Sequence, residues 1–346
     1  MKQHCLAISL FSLLSPTFAH ATNEEACVLA LYQTGDRSLT LEEMRKQCQP
    51  KTLNSKDKTL EVSEPSLTKV AKAPNKKGKL TKRIEEEKKS AFEPYVITPH
   101  RMNYVMPVLT SSGMNPDAYK LVPGYNENFE DLETKFQLSI KLPLNTRDLF
   151  IEGDALYFAF TIEAWWQIYS HNISKPFRET NYQPEFFYGL PLDWQPFGGN
   201  TLLLVGVEHQ SNGKSQLLSR SWNRAYLNFL WEKDDFALSL RPWYRFKEKE
   251  KEFILDPDGD DNPDILDYMG HYELAMSYQW NTLAFGFIGR YNFATHNGSG
   301  ELGVTFPIYG KLKGYANVFT GYGESLIDYN HNQTRVGLGF TVNDLF

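Results

Sequence analysis

Residues 208–224 read EHQSNGKSQLLSRSWNR. His209 and Ser211 stand two apart here, and Asn223 follows after a polar stretch. A serine beside a histidine is the raw material of acyl-transfer chemistry. Ser211 would attack, His209 would take its proton as general base, and Asn223 would hold the imidazole in the required tautomer. Asparagine has no charge with which to balance the imidazolium, so another charge must assist. The same letters also suit a surface hairpin rich in turn formers, Ser-Asn-Gly being a common turn tripeptide. On spacing alone both readings stand.

The elements around these residues bear on the choice. From about residue 92 onward aromatics are dense, and apolar residues recur at every second position, the strand period. In ETKFQLSIKLPL, Phe136, Leu138, Ile140 and Leu142 share one face and Lys135, Gln137, Ser139 and Lys141 the other. LYFAFTIEAWWQI, DFALSLRPWYRF and the closing TRVGLGFTVNDLF repeat the pattern. Aromatics gather near strand ends (Trp165, Trp166, Tyr169; Trp243, Tyr244; Tyr278, Trp280), and the chain ends on Phe346 after an alternating strand. Strands of about ten residues with aromatic ends suit a tilted crossing of an outer membrane. Low mean hydropathy is no objection, since only alternate residues face lipid.

The pattern predicts an all-β fold, a twelve-stranded antiparallel transmembrane barrel over 92–346. Its strands are expected at 100–110, 133–143, 155–168, 183–194, 201–211, 221–232, 235–246, 268–279, 282–293, 300–308, 312–328 and 333–346. An even number returns both ends of the barrel to the periplasm and makes the loops near 170–182, 212–220, 247–267 and 294–299 extracellular. A hairpin symmetric about Gln216 then sets His209 directly across from Asn223, within side-chain reach. The parity of Leu203, Val205 and Val207 puts His209 and Ser211 on the lipid-facing side, at the extracellular rim. Polar groups there are costly as mere filler.

Ahead of the barrel, MKQHCLAISLFSLLSPTFAHA reads as a signal peptide over 1–21, too short to span a membrane. Cys27 and Cys48 form an even pair in an oxidising compartment and are expected to be disulfide-linked, stapling a helical hairpin over 22–50. Thr40 to Glu43 supply a capping box for its second helix. Residues 51–91 are rich in Lys, Glu, Ser, Thr and Pro and are expected to be a charged flexible linker.

Other features carry less. DPDGDDNPDILD (256–267) has acidic residues at calcium-loop spacing, but Asp261 stands where a helix-loop-helix site needs glycine, so a solvated loop is expected. His100, His171, His271, His296 and His331 show no ligand-like spacing and are read as rim or loop residues. A porin or adhesin is the rival reading, although inward Arg241, Arg245, Glu163 and Glu273 would largely fill the lumen. An outer-membrane protease would need paired carboxylates that the sequence does not supply.

The wording of four stretches goes further. HQSNGKSQLLSRSWNR, SKPFRETNYQPE (174–185), DDNPDILDYMGHYEL (260–274) and GYGESLIDYNHNQTRVGLGFTVNDLF (321–346) strongly resemble the outer membrane phospholipase A family, over about residues 98–346. The resemblance implies an outer-membrane barrel that hydrolyses acyl esters of phospholipids and lysophospholipids (phospholipase A1 and A2 activity). It further implies dependence on calcium, activity as a homodimer and no nucleic-acid partner. It carries the triad to His209, Ser211 and Asn223; a backbone N–H, expected to be that of Gly213, would stabilise the oxyanion together with the cation. The calcium ligands it implies are the backbone carbonyl of Lys214, the hydroxyl of Ser219, and Ser174 from the neighbouring protomer. Two positions depart from the family pattern. Gln216 replaces an acidic loop residue, which bears on calcium affinity, and Ile162 replaces a glutamine at the dimer contact.

Overall fold

In the computed structural model, residues 78–346 are described, apart from 91, 94, 95, 121, 126, 254 and 257. The signal peptide, the Cys27–Cys48 pair and most of the linker lie outside the described residues. Twelve strands form the barrel: β1 (Tyr104–Ser111), β2 (Leu132–Pro143), β3 (Ala155–Trp166), β4 (Phe177–Leu192), β5 (Asn200–Ser211), β6 (Ser221–Lys233), β7 (Phe236–Phe246), β8 (Tyr272–Trp280), β9 (Leu283–Tyr291), β10 (Gly298–Tyr309), β11 (Leu312–Gly321) and β12 (Gln333–Thr341). Each pairs antiparallel with its sequence neighbours, and β12 pairs with β1 to close the ring. A two-residue strand, Thr98–Pro99, adds to β2 outside that ring.

The side chains are distributed inside out for a water-soluble protein. Leu138, Leu142, Val207, Leu302, Leu338 and Val342 are exposed on the wall, while Glu133, Lys135, Arg178, Glu185, Glu208 and Arg335 are buried. Water would not tolerate so continuous an apolar surface. A barrel whose outer face meets lipid and whose lumen is polar accounts for both halves of the pattern. None of the described helices is long and apolar enough to cross a membrane.

The lumen is filled by paired charges. Arg178 donates to Glu133 through Nε and Nη2, both at 3.0 Å, and to Asp328 at 2.8 Å. Arg335 joins Glu133 from β12. Nearer the end that bears Phe346, Glu185 accepts from Arg241 at 3.1 Å and contacts His100 at 2.7 Å. His100 is thus a lumen residue rather than a rim residue. A cavity of about 610 Å³ remains, lined by His100, Glu185, Arg224 and Arg241 among others.

Three expectations of chain course need correction, besides the first and fourth strands, which start at Tyr104 and Phe177 rather than near 100 and 183. First, the last strand but one ends at Gly321, not near 328. Gly321 has φ +115°, and a Cβ there would meet the Gly298 carbonyl. The next residues turn into the barrel mouth, where Leu326, Ile327 and Asp328 are buried. Second, the strand expected from 268 starts at Tyr272, because a short helix (Ile265–Met269) precedes it and ends at Gly270, φ +66°. Third, the linker expected over 51–91 is helical over Lys79–Ser90 (α1), a run with several good helix formers. The first turn of α1 is held by a buried carboxylate: the N–H groups of Leu80 and Thr81 donate to Glu232 at 2.9 and 3.0 Å. Lys141 pairs with Glu87 at 2.7 Å and so ties the same helix to β2. α1 therefore lines the lumen cavity at the end that bears Phe346.

Candidate active site

The β5–β6 hairpin pairs Asn200 with Glu232 through to Ser211 with Ser221, an unbroken register symmetric about Gln216. His209 consequently faces Asn223, and their side chains meet, His209 Nδ1 to Asn223 Oδ1 at 2.8 Å. Val205, Val207, Leu227 and Phe229 share the parity of these two residues and are exposed, so the pair sits on the outer wall. Ser211 lies two residues on from His209, on the same face and about 7 Å along the strand. Its neighbour on the other side is Tyr182 of β4. A row of outward residues thus runs across the wall at the level of the serine: Leu138, Ile162, Tyr182, Ser211 and Ser221.

The inward face of the hairpin is stiff. Glu208 and Arg224 pair across the two strands, the Arg224 guanidinium lies 3.7 Å over the Trp222 ring, and Trp222 Nε1 donates to Gln210 at 2.8 Å. A buried layer behind an exposed pair limits the pair's freedom to drift.

Residues 212–220 close the hairpin around Asn212, a buried residue that sequence reading missed. Its side chain accepts from Arg220 N at 3.0 Å and Lys214 N at 3.3 Å, and donates to the Leu218 carbonyl at 2.7 Å. Its signal was the Asn-Gly pair, which marks a turn whose asparagine can bond to its own loop. Gly213 follows at φ +64°, with a built Cβ falling 3.1 Å from the Tyr182 ring, so glycine fits on both counts. The Lys214 side chain reaches inward to the Arg178 carbonyl and lies 3.4 Å from Glu179. Burial pushes its ammonium below the usual lysine range, with Glu179 opposing the shift.

The acidic stretch 256–267 is less solvated than expected. Arg245 grips Asp260 with contacts of 2.6 and 2.7 Å, Asn262 Oδ1 accepts from Ser221 N at 3.0 Å, and Asp261 takes a hydrogen bond from the Ser219 hydroxyl. Lys251 pairs with the other Asp261 oxygen. Its second half is therefore a brace for the hairpin.

Of the residues implied for calcium, Lys214 and Ser219 share this loop with Gly213, the expected oxyanion donor. Ser174 is exposed on the β3–β4 connection, one strand away from the hairpin. Ser219 donates its proton to Asp261, which leaves its oxygen lone pairs for a cation, and carbonyl and hydroxyl donors suit a hard ion. The donor chemistry fits calcium. No group of three or more His, Cys, Asp or Glu side chains that could hold a metal occurs among the described residues, so oxygen donors of this kind carry the fit.

Comparison with known proteins agrees with the geometry. Residues 80–342 match the family model described as Phospholipase A1. A Phospholipase A1 from Klebsiella pneumoniae is 40% identical over 255 residues, 73% of this chain and 84% of that protein. Outer membrane phospholipase A from Escherichia coli, solved as an asparagine-to-alanine active-site mutant, superposes with a TM-score of 0.70 at 37% identity, covering 76% of this chain and 98% of that one. A Salmonella typhi outer membrane phospholipase, described as a dimer with bound calcium, gives 0.70 at 36% identity over the same shares. With the lipid-facing wall, the closed ring of twelve strands and these relatives together, the chain belongs to the phospholipase A1 family of bacterial outer-membrane β-barrels.

Proposed function

We propose that this protein hydrolyses the acyl esters of phospholipids and lysophospholipids in the bacterial outer membrane, with Ser211 as nucleophile, His209 as general base and Asn223 as the group that orients His209. The observation that carries this reading is the 2.8 Å contact between His209 Nδ1 and Asn223 Oδ1 on the lipid-facing wall. An amide oxygen only accepts, so His209 presents Nδ1–H to it, and Nε2 is left bare to take the Ser211 proton. The proton passes to the leaving alkoxide as the acyl–serine ester forms. His209 then takes a proton from water as the water oxygen attacks the acyl carbon, and returns it to Ser211 as the fatty acid leaves. The Gly213 N–H stabilises the oxyanion.

Lys214 through its carbonyl, Ser219, and the corresponding chain's Ser174 in a homodimer would hold calcium. Bound there, the ion supplies positive charge near the developing oxyanion. The Salmonella typhi relative described as a calcium-bound dimer supports this part of the reading. The outward row from Leu138 to Ser221 supplies the wall that a second barrel would cover. Ile162 makes that contact apolar, and Gln216 leaves the calcium loop without its acidic member. In the membrane the hairpin sits at the extracellular rim and α1 at the periplasmic end.

The experiment is fatty-acid release from mixed micelles, with calcium and with EDTA. Ser211→Ala and His209→Ala are expected to lower kcat by about four orders of magnitude or more, and Asn223→Ala by less, since it orients rather than reacts. EDTA is expected to abolish release, and calcium to restore it. Near-normal turnover by Ser211→Ala would sink the reading.

A further inference from the structure

Asn223 is the weak member of the set. It holds His209, but an amide carries no charge to balance the imidazolium that forms when His209 takes a proton. The other end of the same amide meets a carboxylate: Asn223 Nδ2 donates to Glu248 Oε1 at 2.9 Å. Glu248 lies just past the end of β7, two residues beyond Phe246, which pairs with Asn223 in the sheet. Phe246 is exposed on the wall, and Glu248 continues its parity at the rim. We propose that Glu248 is a positioning residue of the hydrolytic site, which fixes the Asn223 amide the right way round and supplies through it the negative charge that the amide lacks. This inference rests on the serine-hydrolase reading above.

Two arguments carry it. The first concerns orientation. The two ends of an asparagine amide have nearly the same shape and opposite hydrogen-bonding sense. An ionised carboxylate only accepts, so it selects the NH2 end and leaves Oδ1 for His209. A flipped amide would donate to Nδ1 and hold the imidazole proton on Nε2, and Ser211 would then face no base.

The second concerns charge. A carboxylate hydrogen-bonded to one end of an amide polarises it and makes the far oxygen more negative, which favours imidazolium beside it. The basic neighbours are largely engaged elsewhere. Lys249 pairs with Glu252 at 2.6 Å, Lys251 pairs with Asp261, and Arg220 donates to the carbonyls of Leu217 and Ser219. Lys247, adjacent in the chain, is exposed. Calcium cannot replace this effect, because it opposes charge on the substrate's oxygen rather than on the histidine.

The test is kinetic, on full-length protein in mixed micelles at saturating calcium, with the heat-resistant folded band as control. Glu248→Gln keeps an acceptor for Asn223 and removes the charge. It is expected to lower kcat about threefold to thirtyfold with KM unchanged, and to move the acid limb of the pH–rate profile to lower pH, since His209 loses a stabilising charge. Glu248→Asp, which keeps the charge, is expected to keep the parent's acid limb. Asn223→Asp sets two carboxylates against each other in the parent and is expected to lower kcat. Added to Glu248→Gln, the same change restores the missing charge and is expected to raise it. A purely structural contact would not produce that reversal of sign. Parent kcat and an unmoved acid limb in Glu248→Gln, with Ser211→Ala inactive, would overturn the proposal and leave the serine reading intact. Turnover by Ser211→Ala would instead overturn the reading beneath it.

Discussion

Gly213 shows how much chemistry a missing methyl can carry. The residue combines a left-handed backbone with a Tyr182 ring where a Cβ would stand. Gly213→Ala is expected to cost about 1–3 kcal/mol in local strain, relieved by turning its N–H away from the position proposed for the oxyanion. Turnover should fall about tenfold to a thousandfold while the folded band persists. A variant with parent kcat would show that the donor lies elsewhere. At this scale the sequence was informative wherever strand period and hairpin symmetry apply. Those two rules alone set His209 across from Asn223. They say nothing of Glu248 or Asp261, which reach the hairpin from another loop across a sequence gap that no period spans. The charged run in which they lie reads equally well as solvated.

Elements were legible in their middles and less so at their ends. Apolar residues recur as late as Leu326 and Ile327, which extends the expected strand, yet Gly321 turns the chain inward and those residues pack in the barrel mouth. Asp328 there closes on Arg178. Burial acts to raise the Asp328 carboxyl, and it is outweighed by Arg178, the Ser325 hydroxyl and Arg335, which leave it below the usual range. A depressed carboxyl stabilises the fold above its unfolded pKa, and that contribution is lost as pH falls through the folded value. Asp328→Asn should therefore cost about 1–3 kcal/mol at neutral pH and flatten the acid side of the stability curve. Urea unfolding followed by band shift from pH 7 downward measures both, and an unchanged acid side would refute the assignment. The α1 helix was illegible for a different reason: its anchor, Glu232, lies far along the chain. Deleting residues 22–92 should leave a closed, hydrolysing barrel. It also leaves Glu232 without its backbone donors, so the midpoint of unfolding should fall slightly. Loss of the folded band would show that the strands need the helix.

For the whole molecule, closure of the ring follows from pairing of the last strand with the first, and the even strand count anticipated it. The lumen holds ion pairs and the wall holds His209, so the site proposed at Ser211 is reached sideways through lipid rather than down a pore. Turnover must then follow a two-dimensional concentration. If bulk phospholipid is held constant while inert detergent is added, each micelle becomes poorer in substrate and the rate should fall in proportion to mole fraction. A short-chain monomeric ester reaching the site from water should escape that dilution.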